Sequence, residues 1–184
     1  KVTDYSTLEE LRIDLIYSLR NYRHMRQRGI ITDFSKETFD PKSSFARIGG
    51  GSLGGKARGL GFVNTLINNY NVRNQFPGTK IFVPSAVVLG TDVFDQFIDD
   101  NNLRKFALNS NNDEEITKKF LEAEKFPGEI IGELSAFLEI IREPLAVRSS
   151  SLLEDSQYHP FAGVYETYML PNSHGNSLIR LNDL

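Results

Sequence analysis

The stretch GGGSLGGKARGL covers residues 49–60 of this 184-residue sequence. Gly50, Gly55 and Lys56 match most of the phosphate-loop pattern G-x-x-x-x-G-K-[ST]. Ala57 stands where that pattern has the hydroxyl that binds magnesium. The mismatch raises the question of whether the loop contacts phosphate in another way or is a flexible glycine turn.

The surroundings of the loop argue against a P-loop fold but leave phosphate contact open. A P-loop follows a buried apolar strand, and DPKSSFARI, residues 40–48, is a poor candidate for one. A helix is predicted to begin just after Gly55, and its free N–H groups would favour an anion in the loop. Lys56 adds a mobile positive charge that suits phosphate oxygens. From the loop alone, a ligand loop and a plain glycine-rich turn are equally good interpretations.

A second stretch, PLAVRSSSLLEDSQYHPFAGVYET, covers residues 144–167. Arg148 ends an apolar strand and is followed by three serines and then by Glu154 and Asp155. An arginine offers a planar fork that matches phosphate oxygens, and nearby hydroxyls and N–H groups can complete a phosphate clamp. On spacing alone, a surface pair between the arginine and a glutamate in a serine-rich loop is the somewhat better interpretation.

Taken together, the two stretches resemble the N-terminal nucleotide-binding domain of the phosphoenolpyruvate synthase and pyruvate phosphate dikinase family. The resemblance covers roughly residues 48–171. The chain departs from the family at Val83–Ala86, where the family usually has Pro-Pro-Gly-Phe, and at Val164-Tyr165, where it often has Gln-Gln. The shared motifs are GGK at 54–56, VRSS at 147–150, ED at 154–155, FAG at 161–163 and ET at 166–167.

The order of helical and strand patterns favours an α+β fold, because helices and strands mix without regular βαβ alternation. The resemblance implies the first part of an ATP-grasp-like nucleotide-binding domain with an N-terminal helix. We expect residues 1–47 to form that helix and a connector. We expect residues 48–184 to form the N-terminal, incomplete part of the ATP-binding domain.

The first 48 residues are predicted to contain one long helix and an irregular segment. The helix should begin at a capping box formed by Ser6 and Glu9 and should end near Gly29. Its distal half is basic, which suits the negative end of the helix dipole. Residues 30–48 are polar with short apolar pieces, and we expect an irregular connector there.

Further elements are predicted along the rest of the chain. A helix should cover about Lys56–Asn69, and Thr91 should cap a short helix. Helices are also expected at 113–125 and 127–141, and strands within TKIFVPSAVVLG (79–90), PLAVRSS (144–150) and GVYETYML (163–170). The side chains expected to be buried are Leu60, Val63, Leu66 and Ile67 in the first of these helices and Phe94, Phe97 and Ile98 in the helix that Thr91 caps.

The resemblance also implies a set of binding residues. Lys56 and Arg148 are expected to contact nucleotide phosphates, and the carboxylates that hold Mg²⁺ are expected outside this chain. Neither a catalytic residue nor a metal ligand is assigned here, and His24, His159 and His174 receive no role. The remaining predicted binding residues are Gly54, Gly55, Ser149 and Ser150; Glu154, Asp155 and Glu166 are expected to brace the site.

The activity that the resemblance implies is phosphoryl transfer from ATP to pyruvate through a histidine on another domain, giving phosphoenolpyruvate. The expected partners are a nucleotide and the phosphohistidine and pyruvate-binding domains of the same parent chain, and the fragment alone is expected to be inactive. Two alternatives stay open: a related dikinase with another acceptor, such as a glucan or an antibiotic, and a non-catalytic partner-binding domain on the same scaffold.

Composition excludes some functions and leaves others open. The sequence has no cysteine, which excludes disulfides and thiolate metal sites and fits a reducing, cytoplasmic location. The net charge of −3 gives no signal for nucleic acid or a membrane surface. No apolar run approaches the roughly 20 residues of a membrane span.

Overall fold

The computed structural model describes residues 5, 7–27, 31–151, 153–154 and 163–184, with side chains of 20–27 left aside. Helices and strands are mixed, as the sequence predicted for an α+β fold. In chain order the elements are α1 Leu8–Gln27, β1 Thr32–Asp33, β2 Phe45–Ile48, α2 Gly54–Asn69, a 3₁₀ turn at Val72–Asn74, β3 Ala86–Leu89, α3 Thr91–Asp100, α4 Arg104–Asn109, α5 Asp113–Leu121, α6 Gly128–Ile140, β4 Leu145–Arg148, β5 Thr167–Leu170 and α7 Ser177–Asp183.

A small parallel sheet has the strand order β1-β2-β3, and the glycine loop follows its central strand β2. Its central strand runs from Phe45 to Ile48, so the prediction of an irregular connector over residues 30–48 is wrong. Phe45, Ala46 and Ile48 are all buried. Four residues are too few to show a period, and the polar residues just before them hid the strand. The predicted domain boundary between residues 47 and 48 falls inside this strand.

The core lies between this sheet and α6. Phe34, Phe39 and Phe137 form an aromatic cluster, with ring centroids 5.4–6.2 Å apart and mostly in edge-on arrangements. Ile48 and Leu138 pack in the same core and are fully buried. These contacts join the segment before the glycine loop to α6, the helix that leads into β4. The two predicted binding stretches are therefore both anchored to the same hydrophobic core.

Helix α2 forms where it was predicted but buries a different face. Leu60, Val63 and Leu66 are exposed by 46%, 43% and 37%, and only Ile67 of the predicted set is buried. A Cβ added to Gly61 would collide with the side chain of Ile31. Small side chains therefore let α2 approach its neighbours closely. The prediction followed the spacing of the large apolar residues alone, and so it selected the wrong face of the helix as buried. The buried positions of α2 are Gly54, Ala57, Gly61, Asn64 and Ile67.

Helix α3 also differs in its start and its buried face. Gly90 is the N-cap, and Thr91 is the first helical residue, with its side chain directed to the glycine loop instead of its own helix. Val93 and Ile98 are buried, whereas Phe94 is 61% exposed.

The short helix α4 was not predicted. The N-cap of α1 and its predicted end at Gly29 lie outside the described residues.

Strand β4, at the start of the second stretch, pairs antiparallel with β5, which begins at the last residue of that stretch, and Arg148 lies opposite Thr167. The segment after α6 is fixed by a buried polar network. Asn172 donates from Nδ2 to the carbonyls of Ile141 and Glu143 at 3.1 and 3.0 Å. Arg180, which is 2% exposed, donates to the carbonyl of Leu138 at 2.8 Å and to Asn172 Oδ1 at 3.0 Å. The network joins α6, α7 and the lead-in to β4.

Candidate functional site

The glycine loop leaves the carboxyl end of β2, the central strand of the parallel sheet, and leads into α2. Gly49, Gly51 and Gly54 have φ angles of 73°, 84° and 75°, in the left-handed region that other residues rarely adopt. The carboxyl ends of parallel strands are the usual place for ligands in such sheets. The loop therefore has the position and the backbone form of a ligand loop.

The order strand, glycine loop, helix revises one argument made from the sequence. The buried strand that a P-loop needs is present at Phe45–Ile48, so its supposed absence was a wrong reason to reject that fold. The second reason stands, because Ala57 is 4% exposed and has no hydroxyl. Instead, the hydroxyl of Ser150 accepts a hydrogen bond from the N–H of Ala57 at 3.0 Å.

The start of α3 braces the glycine loop. The N–H of Ser52 donates to Thr91 Oγ1 at 2.9 Å, and the N–H of Thr91 donates to the carbonyl of Ser52 at 3.0 Å. The N–H of Gly90 donates to Ile48 at 2.9 Å, and a Cβ on Gly90 would overlap the carbonyl of Gly50. These contacts hold the loop against the start of α3, where the Asp92 carboxylate also lies against Gly50 and Gly51.

Ser150 joins the two predicted stretches. Its carbonyl accepts from the N–H of Gly55 at 3.0 Å, and its hydroxyl donates to the carbonyl of Leu53 at 2.7 Å. A Cβ on Gly54 would overlap the same Ser150 carbonyl, so only glycine permits this approach. Residues almost one hundred positions apart in the chain therefore meet at the first turn of α2.

This junction changes the expected role of the helix N-terminus. The N–H groups of Gly55 and Ala57 were expected to be free for an anion, but Ser150 accepts from both. The N–H of Lys56 has no hydrogen-bond partner among the described residues. An anion at this helix end can therefore use the Lys56 N–H and nearby cationic side chains, while Ser150 takes the neighbouring amides.

The positive charges at the junction differ in their partners. Lys56 Nζ forms an ion pair with Glu154 Oε2, and the two side chains are 22% and 15% exposed. Arg148 is exposed and has no ion pair in the part of the chain that the structure describes. The pair between Arg148 and a glutamate, considered from spacing alone, is thus not formed by Glu154.

One further cation lies at the loop and was missed from the sequence. Arg58 donates from Nε to the carbonyl of Gly54 at 3.0 Å, which ties the first turn of α2 to its glycine. The two residues are four positions apart, so they share one face of the helix. The four-residue spacing from Gly54 could have indicated this contact in the sequence. Arg58 was not predicted as part of the site because it lies outside the GGK motif.

The loop after β4 is held by its own serines. Ser149 Oγ accepts from the N–H of Ser151 at 3.1 Å, and Tyr165 donates its hydroxyl to Ser151 Oγ at 3.2 Å.

Glu166 is exposed. His174 Nδ1 accepts from the N–H of Asn176 at 3.0 Å in the turn before α7. The predicted residues Asp155, His159, Phe161 and Ala162, and the side chain of His24, lie outside the described residues.

Within the described ranges, no group of three or more histidine or acidic side chains could hold a metal ion. The location of the Mg²⁺ ligands outside this chain stays a prediction. No described helix is both long enough and apolar enough to cross a membrane.

Comparison with known protein families gives a match over residues 51–180 to the family model described as pyruvate phosphate dikinase, AMP/ATP-binding domain. The chain belongs to this family. The match includes the GGK motif and the VRSS motif, which meet through Ser150 in the fold of this dikinase-family domain. It confirms the resemblance stated from the sequence and supports nucleotide binding. Searches of curated proteins and of solved structures gave no match.

Proposed function

We propose that this dikinase-family domain is the ATP-binding part of a phosphotransferase that passes a phosphoryl group through a histidine on another domain to pyruvate. The observation that carries the proposal is the junction at Ser150. It brings the segment with Lys56 and the segment with Arg148 to one end of the parallel sheet. A nucleotide bound there would meet both cations and the open glycine loop.

Charge and shape at the junction fit a polyphosphate. Lys56 offers a compact charge on a flexible stem, and the exposed Arg148 offers a planar fork for two oxygens. The left-handed glycines Gly49, Gly51 and Gly54 let the backbone approach a ligand closely. These features suit a polyphosphate such as ATP better than a small neutral ligand, because Arg148 has no ion pair among the described residues.

The chemistry asked of this chain is positioning and neutralisation of charge. Phosphoryl transfer spreads negative charge over the transferred oxygens, and cations held in place stabilise it. Lys56 and Arg148 would bind and orient the phosphates, while Ser149 and Ser150 hold the loop that carries the arginine. The acceptor histidine and the pyruvate site belong to other domains of the parent chain in this proposal.

The test is phosphoryl transfer by the intact parent protein with radiolabelled ATP. The proposal expects label on a histidine and then on pyruvate, and expects Lys56→Ala or Arg148→Ala to lower the rate by orders of magnitude. Arg142→Ala is the matched control, because Arg142 is also exposed but lies before β4. Near-normal turnover of Arg148→Ala would overturn the site assignment. If the label passes only to a glucan or an antibiotic, pyruvate is the wrong acceptor.

A further inference from the structure

The cation at the centre of the proposed site already has an anionic partner. Glu154 Oε2 contacts Lys56 Nζ, and the side chains of Glu154 and Lys56 are only 15% and 22% exposed. The other ion pairs that the structure describes lie at the surface, as Lys36–Glu139 does with both side chains 51% exposed. The Lys56–Glu154 pair is therefore the more sheltered of the two, and its charges are less screened by water.

This pair sets a condition for phosphate binding. A phosphate that contacts Lys56 Nζ would lie within a few ångströms of the Glu154 carboxylate, and like charges so close repel each other strongly in a partly buried site. The phosphate must then displace Glu154 from the lysine. Arg148 has no such requirement, because no ion pair engages it within the described residues.

Glu154 lies close to a set of hydrogen bonds in the segment after β4. Ser151, three residues before it, contacts Tyr165 on the segment that leads into β5. Its hydroxyl also accepts from the N–H of Leu153 at 3.1 Å, next to Glu154. Release of Glu154 from Lys56 would therefore act first on the neighbouring contacts of Ser151 with Leu153 and Tyr165.

We propose that Glu154 is a resident competitor for Lys56: it holds the lysine when the site is empty, lowers the affinity for polyphosphates, and is released when one binds. The proposal deepens the proposed function and rests on it. It differs from the bracing role expected from the sequence. A bracing carboxylate orients the lysine for the ligand, so its loss weakens binding, whereas the loss of a competitor strengthens it.

The test is calorimetric titration of the intact protein with two probes, ATP with magnesium and inorganic tripolyphosphate. Glu154→Gln removes the charge and keeps the shape of the side chain, and Glu154→Ala repeats the test without the amide. Glu139→Gln makes the same charge change in the exposed pair with Lys36 and serves as the matched control. Lys56→Met combined with Glu154→Gln tests whether the effect passes through the lysine.

We expect both Glu154 variants to bind both probes about tenfold more tightly, the control to bind as the unmodified protein does, and the gain to vanish in the double variant. If the protein binds ATP but the Glu154 variants bind it equally or more weakly, the competitor role is overturned and the proposed function stands. If the variants gain only tripolyphosphate binding and no form binds ATP, the competitor role stands and the nucleotide assignment fails. Binding of neither probe by any form would overturn both.

Discussion

Gly54→Ala tests the junction between the glycine loop and Ser150 most severely. Gly54 has a φ of 75°, and an alanine there costs about 1–2 kcal/mol for the left-handed backbone alone. Its Cβ would also overlap the Ser150 carbonyl, so the two segments must separate. Loss of the hydrogen bonds from Gly55 and Ala57 to Ser150 adds about 1 kcal/mol for each. The expected loss in the free energy of unfolding is about 3–4 kcal/mol.

The assay is urea unfolding of Gly54→Ala beside Gly59→Ala. Gly59 lies in the same helix, and a Cβ there meets nothing within 4 Å. The control should gain about 0.5–1 kcal/mol, because alanine favours a helix interior more than glycine does. A loss of only about 1–2 kcal/mol in Gly54→Ala would refute the close approach of Ser150 to α2, since the left-handed backbone alone predicts that much.

Three other substitutions test the fold around the site. Ser150→Ala should lower the free energy of unfolding by about 2 kcal/mol, because the Ala57 N–H and the Leu53 carbonyl both lose a hydrogen-bond partner. Ser149→Ala removes one hydrogen bond and should cost about half as much. Equal losses in the two variants would contradict the junction at Ser150. Phe137→Ala should cost about 3–5 kcal/mol in the same urea assay, and a loss near zero would refute the aromatic core. Arg180→Ala should lower the thermal midpoint by several degrees, because about 2–3 kcal/mol of buried hydrogen bonding is lost; an unchanged midpoint would contradict the network.

The sequence predicted the parts of the site that depend on local pattern. The GGK motif at the start of α2 and the VRSS motif at the end of β4 were both identified, and the helix and the strand form there. The family match supports the resemblance on which their common role was inferred. Binding by Lys56 and Arg148 themselves remains a prediction.

The features that were missed depend on contacts between distant segments. β2 was not predicted because its pairing with β3 and its burial under α6 stabilise it, and neither is visible in a four-residue window. The buried face of α2 was wrong because small residues set the packing distance there. The partners of Ser150 and Lys56 follow from the meeting of the two stretches, which spacing along the chain cannot give.

The contact between the two stretches also changes what the N-terminus of α2 can offer a ligand. The sequence suggested a helix N-terminus with free amides, but the amides of Gly55 and Ala57 bond to Ser150. The loop therefore follows a buried strand as a P-loop does, but the residue after its lysine carries no hydroxyl. Anion binding by Lys56 and Arg148 stays a prediction, and the Lys56 amide is left without a hydrogen-bond partner among the described residues.

The most direct test of the proposed phosphate site is calorimetric titration of ATP with magnesium into the intact protein, with Arg148→Ala and Arg142→Ala beside it. Arg148 ends β4, two residues before the Ser150 that bonds to the start of α2. A charge-assisted contact from Arg148 to phosphate would account for tenfold or more in affinity, about 1.4 kcal/mol or more. We expect at least that loss in Arg148→Ala and none in Arg142→Ala. Equal affinity of the two variants would contradict a phosphate site built from the two stretches.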